Sequence, residues 1–294
     1  MAGTVGFVGL GTMGAHMAAN LMSGGVDLAV FSRRPEQARD WAGRGARVAG
    51  TLAELAGMAD LIVTCVTDHP ALESVLDGLL ADGWKGGLLV DCSTIAPDQA
   101  RASAARVSAA GGSMVDAPVT GGDVGARDGT LTIMCGGTEA DVERARPVLA
   151  LMGKRIEHMG PLGAGQVTKA CNQIMVTINL MGALEAAALA QSGGVDPARM
   201  REVLLSGSGA SVALDRVLPR RFADGPPSFR LELMLKDIGL ATATGRAAGL
   251  VQPGTQTVAM LLQAAVNRGL GGQDFAALGA LYDALNPGAD GGST

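Results

Sequence analysis

The chain is predicted to fold as a doubly wound α/β sheet followed by an all-α second half, and three observations carry that prediction. From residue 4 to about 160, short apolar runs alternate with helix-compatible stretches, the signature of a mostly parallel sheet. The first run feeds directly into a glycine turn, Gly9-Leu10-Gly11-Thr12-Met13-Gly14, with a helical stretch behind it. After Gly160-Pro161 the strand-like runs stop, and long helical stretches separated by Gly-, Pro- and Ser-rich loops take over.

The strand candidates are Val5–Leu10, Leu28–Phe31, Leu61–Val66, Leu88–Asp91, Ser113–Val119, Leu131–Gly136 and Arg155–His158. Helices are expected over Ala15–Met22, Pro35–Trp41, Pro97–Ala110 and Glu139–Met152, and the stretch Asp123–Gly129 reads as a loop beside antiparallel additions to the sheet. In the second half the spacing predicts one long helix over Gln166–Ser192, closed by Gly193-Gly194. Pro197–Leu205, Leu231–Gly249, Gly254–Arg268 and Phe275–Leu285 follow as helices, with loops at Ser206–Ser211 and Asp224–Ser228 and a glycine-rich tail after Pro287. The domain boundary is placed after residue 162, giving segments 1–162 and 163–294.

Composition excludes several classes of function. Apolar residues make up 48% of the 294, enough for two cores, while 3% aromatics leave little for stacking on nucleobases. A net charge of −5 argues against a nucleic-acid surface. The cysteines Cys65, Cys92, Cys135 and Cys171 lie far apart, three in apolar strand-like runs, which suggests buried thiols and a reducing compartment. The uncharged apolar run Ala170–Leu184 is shorter than the roughly 18 residues a membrane span needs and is interrupted by Asn172, Gln173 and Asn179. With no basic region or cleavage site before the first strand, a soluble cytoplasmic protein is expected. The small residues Ala170, Gly182, Ala183, Ala186 and Ala187 on the long helix would admit close helix approach, and a homodimer or homotetramer is expected.

The chemistry concentrates at strand ends and on the long helix. In the first turn Gly9 permits the tight bend, Gly11 lets the backbone approach a pyrophosphate, and Gly14 allows the helix to pack closely on the strand. The helix N-terminus then presents free N–H groups and the positive end of its dipole to phosphates, a Rossmann-like dinucleotide site. The second strand ends in Ser32-Arg33-Arg34 with no carboxylate to accept from ribose hydroxyls. A hydroxyl and two guanidinium forks suit a ribose bearing a 2′-phosphate, so NADP (NADPH) is preferred over NAD; the alternative is a pair of solvated charges at a helix start. Val66 and Thr94 stand at two further strand ends, facing ribose and nicotinamide, although Ser93 and Thr94 could equally be turn and cap residues. Thr120, Gly121 and Gly122 offer a hydroxyl and consecutive amides to a carboxylate, or form a simple Gly-Gly loop, with Asp116 expected to hold the turn.

Lys169, Asn172 and Gln173 fall at i, i+3 and i+4 of the long helix and so share a face. An ammonium flanked by two neutral amides on an apolar helix is costly to bury without a task. A surface lysine is the alternative. His16, His69 and His158 show no metal spacing, and no Ser-His-Asp or Cys-His arrangement can be argued from sequence.

These motifs resemble the β-hydroxyacid dehydrogenase family, which includes 3-hydroxyisobutyrate dehydrogenases and tartronate semialdehyde reductases. The resemblance runs from Gly6 through the glycine turn, Asp116–Gly122 and Gly163–Gln173 to Lys236-Asp237-Ile238. It implies an oxidoreductase that interconverts a short-chain 3-hydroxy acid and its semialdehyde in a cleft between two domains. Lys169 would be catalytic, assisted by Asn172, and Thr120, Gly121 and Gly122 would hold the substrate carboxylate. Gln173 and Phe229 would also line the substrate, and Lys236, fixed by Asp237, would reach both cofactor and substrate. Gln173 stands where 3-hydroxyisobutyrate dehydrogenases usually carry Asn, which leans toward the tartronate semialdehyde branch. Ser32 stands where many NAD-using members of that branch have an acidic residue. A free lysine titrates near 10.4, and burial beside a second cation, Lys236, is what would bring Lys169 toward neutrality. An imine reductase would share the architecture but generally lacks the lysine. A non-catalytic NADP sensor or scaffold would not need lysine, amides and carboxylate loop together.

Overall fold

The computed structural model describes residues 3–81, 83–84, 86–222 and 226–286. The tail after Pro287 and the Asp224-Gly225 part of its loop lie outside the described residues. The chain divides into two compact units, Met1–Lys169 and Ala170–Thr294.

The first unit runs β1 (Thr4–Val8), α1 (Thr12–Ser23), β2 (Asp27–Phe31), α2 (Pro35–Gly43), β3 (Arg47–Val48), α3 (Leu52–Met58), β4 (Leu61–Thr64), α4 (His69–Leu80), β5 (Leu88–Asp91) and α5 (Pro97–Ala109). It continues with β6 (Ser113–Asp116), β7 (Val119–Thr120), α6 (Gly122–Arg127), β8 (Leu131–Gly136), α7 (Glu139–Leu149), β9 (Gly153–Gly160) and the start of α8 (Ala164–Ser192). Among the described residues the strands form one sheet in the order β3-β2-β1-β4-β5-β6-β8-β7, with β9 on β8. The strands from β3 to β6 pair in parallel, whereas β8 is antiparallel to β6 and β7. The strand order reverses between β1 and β4, and in such sheets ligands bind beyond the carboxyl ends of the strands at that point.

Alternation along the strands builds a core on each face. Phe7, Val63, Leu88 and Val90 point into one cluster with Met17 and Leu21 of α1. Val8, Ile62 and Leu89 point into the other with Leu72, Leu76 and Leu79 of α4. Burial on both faces explains why these strands read as continuous apolar runs.

In the second unit α8 is followed by α9 (Pro197–Leu204), α10 (Leu231–Ala247), α11 (Pro253–Ala265) and α12 (Leu278–Leu285). Leu180, Leu184, Leu231, Met234, Ile238, Val258, Leu262, Phe275, Leu278 and Leu281 form its core. At 29 residues with a window of mean hydropathy 1.4, α8 is long and apolar enough by composition to cross a membrane, although its apolar face Leu180-Ala183-Leu184-Ala187 already packs into this core.

Several local expectations need correction. The stretch Asp123–Gly129 is not a loop: α6 occupies most of it, a short helix whose glycines hide any apolar periodicity. The run Ser113–Val119 is two strands, because Pro118 cannot donate to a ladder and interrupts it, although both pieces pair antiparallel with β8 in one register. β3, α3, α4 and the turns over Ala213–Phe222 went unread, since two to seven residues carry too little pattern or, in α4, the Asp68-His69-Pro70 start resembles a loop. The thiols are not uniformly buried either: Cys171 is exposed and Cys65 only partly covered.

Truncating Leu76, fully buried in the cluster that holds Ile62 and Leu89, is expected to lower unfolding free energy by about 2–5 kcal/mol. Urea denaturation of Leu76→Ala followed by far-UV circular dichroism measures it.

Candidate active site

The glycine turn of the first unit fits a dinucleotide. Gly9 has φ +100°, and a Cβ there would lie 2.2 Å from the Cys65 carbonyl oxygen. At Gly14 a Cβ would meet the Gly9 carbonyl at 1.9 Å, so the helix can approach the turn only without a side chain. Gly11 differs: a Cβ would meet nothing within 4 Å, leaving open space where the backbone needs to approach a phosphate. Gly11 is also the N-cap of α1 and supplies no side-chain cap, so the first-turn amides around Thr12 and Met13 remain available to an anion. Gln37 Nε2 donates to the Leu10 carbonyl at 2.5 Å while its Oε1 accepts from Ser32 Oγ at 2.8 Å, tying the turn to the end of β2. Arg33 and Arg34 are exposed beside it, and the Arg34 amide donates to Ser32 Oγ.

The ends of β4 and β5 are locked by one buried carboxylate. Asp91 Oδ1 accepts from Thr64 Oγ1 at 2.7 Å and from Ser93 Oγ at 2.6 Å. Ser93 Oγ in turn accepts the Val66 amide at 2.9 Å. Val66 and Thr94 therefore sit on two loops held to one another at the carboxyl edge of the sheet.

The start of α8 is fastened to the same edge. Asp116, fully buried at the end of β6, accepts the Gly163 amide through Oδ1 at 2.7 Å and the Gln166 amide through Oδ2 at 2.9 Å. A carboxylate nearly fifty residues away thus caps the helix and meets the positive end of its dipole. The approach requires glycine on both sides: a Cβ at Gly136 would fall 2.3 Å from Asp116 Oδ1, and one at Gly165 2.3 Å from the Met134 carbonyl. Gln166 completes the attachment, its Nε2 donating to the Ser93 carbonyl at 2.8 Å and its Oε1 accepting the Ile95 amide at 3.2 Å.

That fastening delivers Lys169. Its side chain is only 8% exposed, so it is not a solvated surface lysine, and Nζ donates to the Val119 carbonyl at 2.9 Å. Val119 precedes Thr120, Gly121 and Gly122, whose glycines have φ of +131° and +67°. The amine and the proposed carboxylate turn are thereby brought together in one unit.

In the second unit the remaining polar residues form a chain of their own. Lys236 Nζ pairs with Asp237 Oδ1 at 3.0 Å, Gln173 Nε2 donates to Asp237 Oδ2 at 2.7 Å, and Asn172 Nδ2 donates to Gln173 Oε1 at 2.8 Å. Phe229 instead packs edge-on to Phe275, ring centroids 6.2 Å apart, at the margin of the second core.

Sequence reasoning missed Gln166 as a site residue, and it placed Asp116 on the loop it leaves when the carboxylate actually holds the helix. The only signal in the sequence was a glutamine directly behind Gly163 and Gly165; its burial, 1% exposed, shows only in the structure. It also saw no serine–histidine grouping, yet Ser103 Oγ lies 3.3 Å from His69 Nε2 and donates to Glu73 at 2.7 Å. With Ser103 fully buried and Arg106 bonded to Glu73 and Asp77, this is a tie between α4 and α5. Among the described residues no group of three or more His, Cys, Asp or Glu is placed to hold a metal.

Comparison with known proteins shows the family. The family described as the NAD binding domain of 6-phosphogluconate dehydrogenase matches residues 4–160, and that described as NAD-binding of NADP-dependent 3-hydroxyisobutyrate dehydrogenase matches 163–282. The chain is 38% identical to 2-hydroxy-3-oxopropionate reductase of Escherichia coli over 93% of its length and 95% of the relative's. It is 38% identical to 3-hydroxyisobutyrate dehydrogenase of Pseudomonas aeruginosa, covering 95% of this chain and 98% of that one. Among solved structures, 3-hydroxyisobutyrate dehydrogenase of Mycobacterium tuberculosis with L-serine superposes with a TM-score of 0.87 at 32% identity, over 96% of this chain and 99% of that one.

Burial pushes the Asp116 carboxyl up to about 6, outweighing the backbone amides of Gly163, Gln166 and Asp116 itself that pull it down. The unfolded carboxyl titrates near 3.9. Between those values the folded chain keeps a proton that the unfolded chain has released. This contribution to stability is therefore complete below about pH 4 and lost as pH rises through about 6, a fall of about 2–3 kcal/mol. Asp116→Asn should remove that slope and cost about 1–3 kcal/mol, because its NH₂ would face an amide donor; denaturant titrations from pH 4 to 7 measure both.

Proposed function

The chain belongs to the β-hydroxyacid dehydrogenase family of NAD(P)-dependent oxidoreductases, and from that premise we propose that it interconverts a short-chain 3-hydroxy acid and its semialdehyde with NADPH as the preferred cofactor. The observation that carries the reading is the buried Lys169 amine, held by the carbonyl next to the Thr120-Gly121-Gly122 turn. The glycine turn, the α1 N-terminus and the loops bearing Val66 and Thr94 would hold the dinucleotide, which supplies or accepts the hydride. Ser32, Arg33 and Arg34 support the NADP preference, since guanidinium forks pair bidentately with a 2′-phosphate and no carboxylate stands at that strand end to repel it.

The chain's own residues handle the carboxylate and the proton. Thr120 Oγ and the amides of the positive-φ glycines Gly121 and Gly122 bind the substrate carboxylate. Lys169 Nζ gives a proton to the oxygen of the aldehyde as it becomes an alkoxide, and in the reverse direction neutral Nζ takes the hydroxyl proton. Asn172, one helical turn further along α8, orients the substrate. Val119 keeps Nζ in place between these events.

Proton transfer of this kind contributes roughly 100- to 10,000-fold in rate, so Lys169→Ala should lower kcat by at least that range while NADPH still binds. Stopped-flow NADPH oxidation with a panel of semialdehydes, beside fluorescence titration of NADPH, reads the two quantities; turnover that survives overturns the assignment. Arg34→Ala should raise the KM for NADPH about tenfold or more and leave that for NADH in place, as expected for losing one charge-assisted bond to phosphate. Activity confined to NADH would overturn the cofactor preference.

A further inference from the structure

Two thiols that the proposed chemistry does not use face each other at the carboxyl edge of the sheet. β4 and β5 pair in parallel with Thr64 opposite Asp91, and the ladder runs one bond further, the Cys92 amide donating to the Thr64 carbonyl at 2.7 Å. The next residues, Cys65 and Cys92, are therefore opposite one another. Side chains alternate along a strand, so both take the face of Val63 and Val90, and Cys65 packs against the cluster that holds Cys92. Neighbouring strands lie about 4.7–4.9 Å apart, inside the range of roughly 4.4–6.8 Å between Cα atoms that a disulfide spans. Cys135 shares the cluster but stands on β8, two strands from β5 and about 10 Å from Cys92, too far to bridge. The two partners differ in access. Cys65 is partly exposed, whereas Cys92 is 3% exposed, and burial, with Cys65, Asp91 and Cys135 adding to it, pushes its thiol well up. Cys65 meets a small reagent from solvent; Cys92 is left to react with its neighbour.

We infer that Cys65 and Cys92 form a reversible dithiol–disulfide site, oxidised by a small hydroperoxide, whose closure loosens the dinucleotide turn. The Cys65 thiolate attacks the peroxide, takes one oxygen as the O–O bond breaks, and the other oxygen leaves as water with the thiol proton. The Cys92 sulfur then attacks the sulfenic sulfur, forming the S–S bond and expelling the hydroxyl, which leaves as a second water with the Cys92 proton. Two thiols lose two electrons and the peroxide gains them. Closure needs the Cβ atoms about 3.8 Å apart, closer than the strand spacing, so the strand ends must draw together by about 1 Å. Both ends are already committed. The Cys65 amide donates to the Val8 carbonyl at 2.9 Å, and its own carbonyl oxygen fills the space where Gly9 would carry a Cβ. The next amide, of Val66, donates to Ser93 Oγ, directly after Cys92. A shift of Cys65 is thus passed to the glycine turn on one side and to the Val66 loop on the other. The same misfit makes the bridge easy to reduce, as suits a regulatory disulfide and not a structural one. The thiol site stands on its own geometry, and only its effect on NADPH rests on the dinucleotide reading above.

The test treats the full chain and its Cys65→Ala variant with excess hydrogen peroxide, both carrying Cys171→Ser to remove the exposed thiol. Peptide mapping by mass spectrometry without reduction reads the bridge, and fluorescence titration reads the Kd for NADPH. The chain that keeps both thiols should yield Cys65 and Cys92 peptides joined by loss of the thiol hydrogens. Its Kd should rise about tenfold or more, the scale of one lost charge-assisted bond to phosphate, and dithiothreitol should restore both. Cys65→Ala should keep its Kd within about twofold under the same treatment. Both chains carry the same methionines, so methionine oxidation cancels in the comparison. Oxygenated Cys65 without a bridge, a bridge that moves Kd less than about twofold, or an equal rise in Cys65→Ala each overturns the inference. If Cys65→Ala does not fold, the joined peptides and the reversal by dithiothreitol decide on the first chain alone. A reduced chain that binds neither NADPH nor NADH overturns the dinucleotide reading and the effect on the turn with it, while the joined peptides still decide the thiol site.

Discussion

The first unit's site depends on one carboxylate reaching across the chain to a helix start. Asp116 takes the amides of Gly163 and Gln166, two of the groups that any helix leaves without partners at its N-terminus. A local Ser or Asp cap would have satisfied them as well but would have left α8 free to pivot. Capping from β6 instead fixes where the helix begins relative to the sheet, and Lys169 is only one and a half turns further on. The carboxylate is fully buried and burial raises it to about 6, so this placement is held at a cost in stability near neutral pH. Such a cost is typical of positions that secure a site at the expense of the fold.

Glycine makes that arrangement possible, and in two different senses. At Gly9, Gly14, Gly136 and Gly165 a Cβ would collide with backbone or with Asp116, so the residue is required for protein to approach protein. At Gly11 a Cβ would meet nothing, and the need for glycine there comes from what binds and not from the fold. The Gly-x-Gly-x-x-Gly spacing alone does not separate these cases; the space around each Cα does.

Much of the fold was legible because its signals are local. Continuous apolar runs marked most of the parallel strands, and the i, i+3, i+4 spacing put Lys169, Asn172 and Gln173 on one helix face. What stayed hidden was pairing between distant segments. Nothing in the neighbourhood of Asp116 says that its partners are Gly163 and Gln166, and nothing near Gln166 says that it spans Ser93 and Ile95. The orientation of Asn172 depends likewise on Asp237, an acidic residue more than sixty positions away whose only local mark is the lysine before it. Short elements escaped for a separate reason: β3 has two residues and α6 has six, two of them glycine, too few to show a period.

Pro118 shows how one residue joins these levels. β6 runs parallel to β5 as far as Asp116, opposite Asp91. A proline two positions on has no amide to continue that ladder. The Pro118 carbonyl is still used, accepting from the Met134 amide at 3.0 Å, so the chain stays antiparallel to β8 in the register begun by Asp116 opposite Gly136, with Val119 opposite Ile133. A strand that had simply continued would have spent the Val119 carbonyl on the parallel ladder. Because pairing with β5 stops after Ala117, whose amide donates to the Asp91 carbonyl, that carbonyl of Val119 is available to the Lys169 amine, and the next three residues form the hydroxyl-and-glycine turn beside it. The break that splits one expected strand into two is therefore the feature that puts an amine and an anion-binding turn side by side.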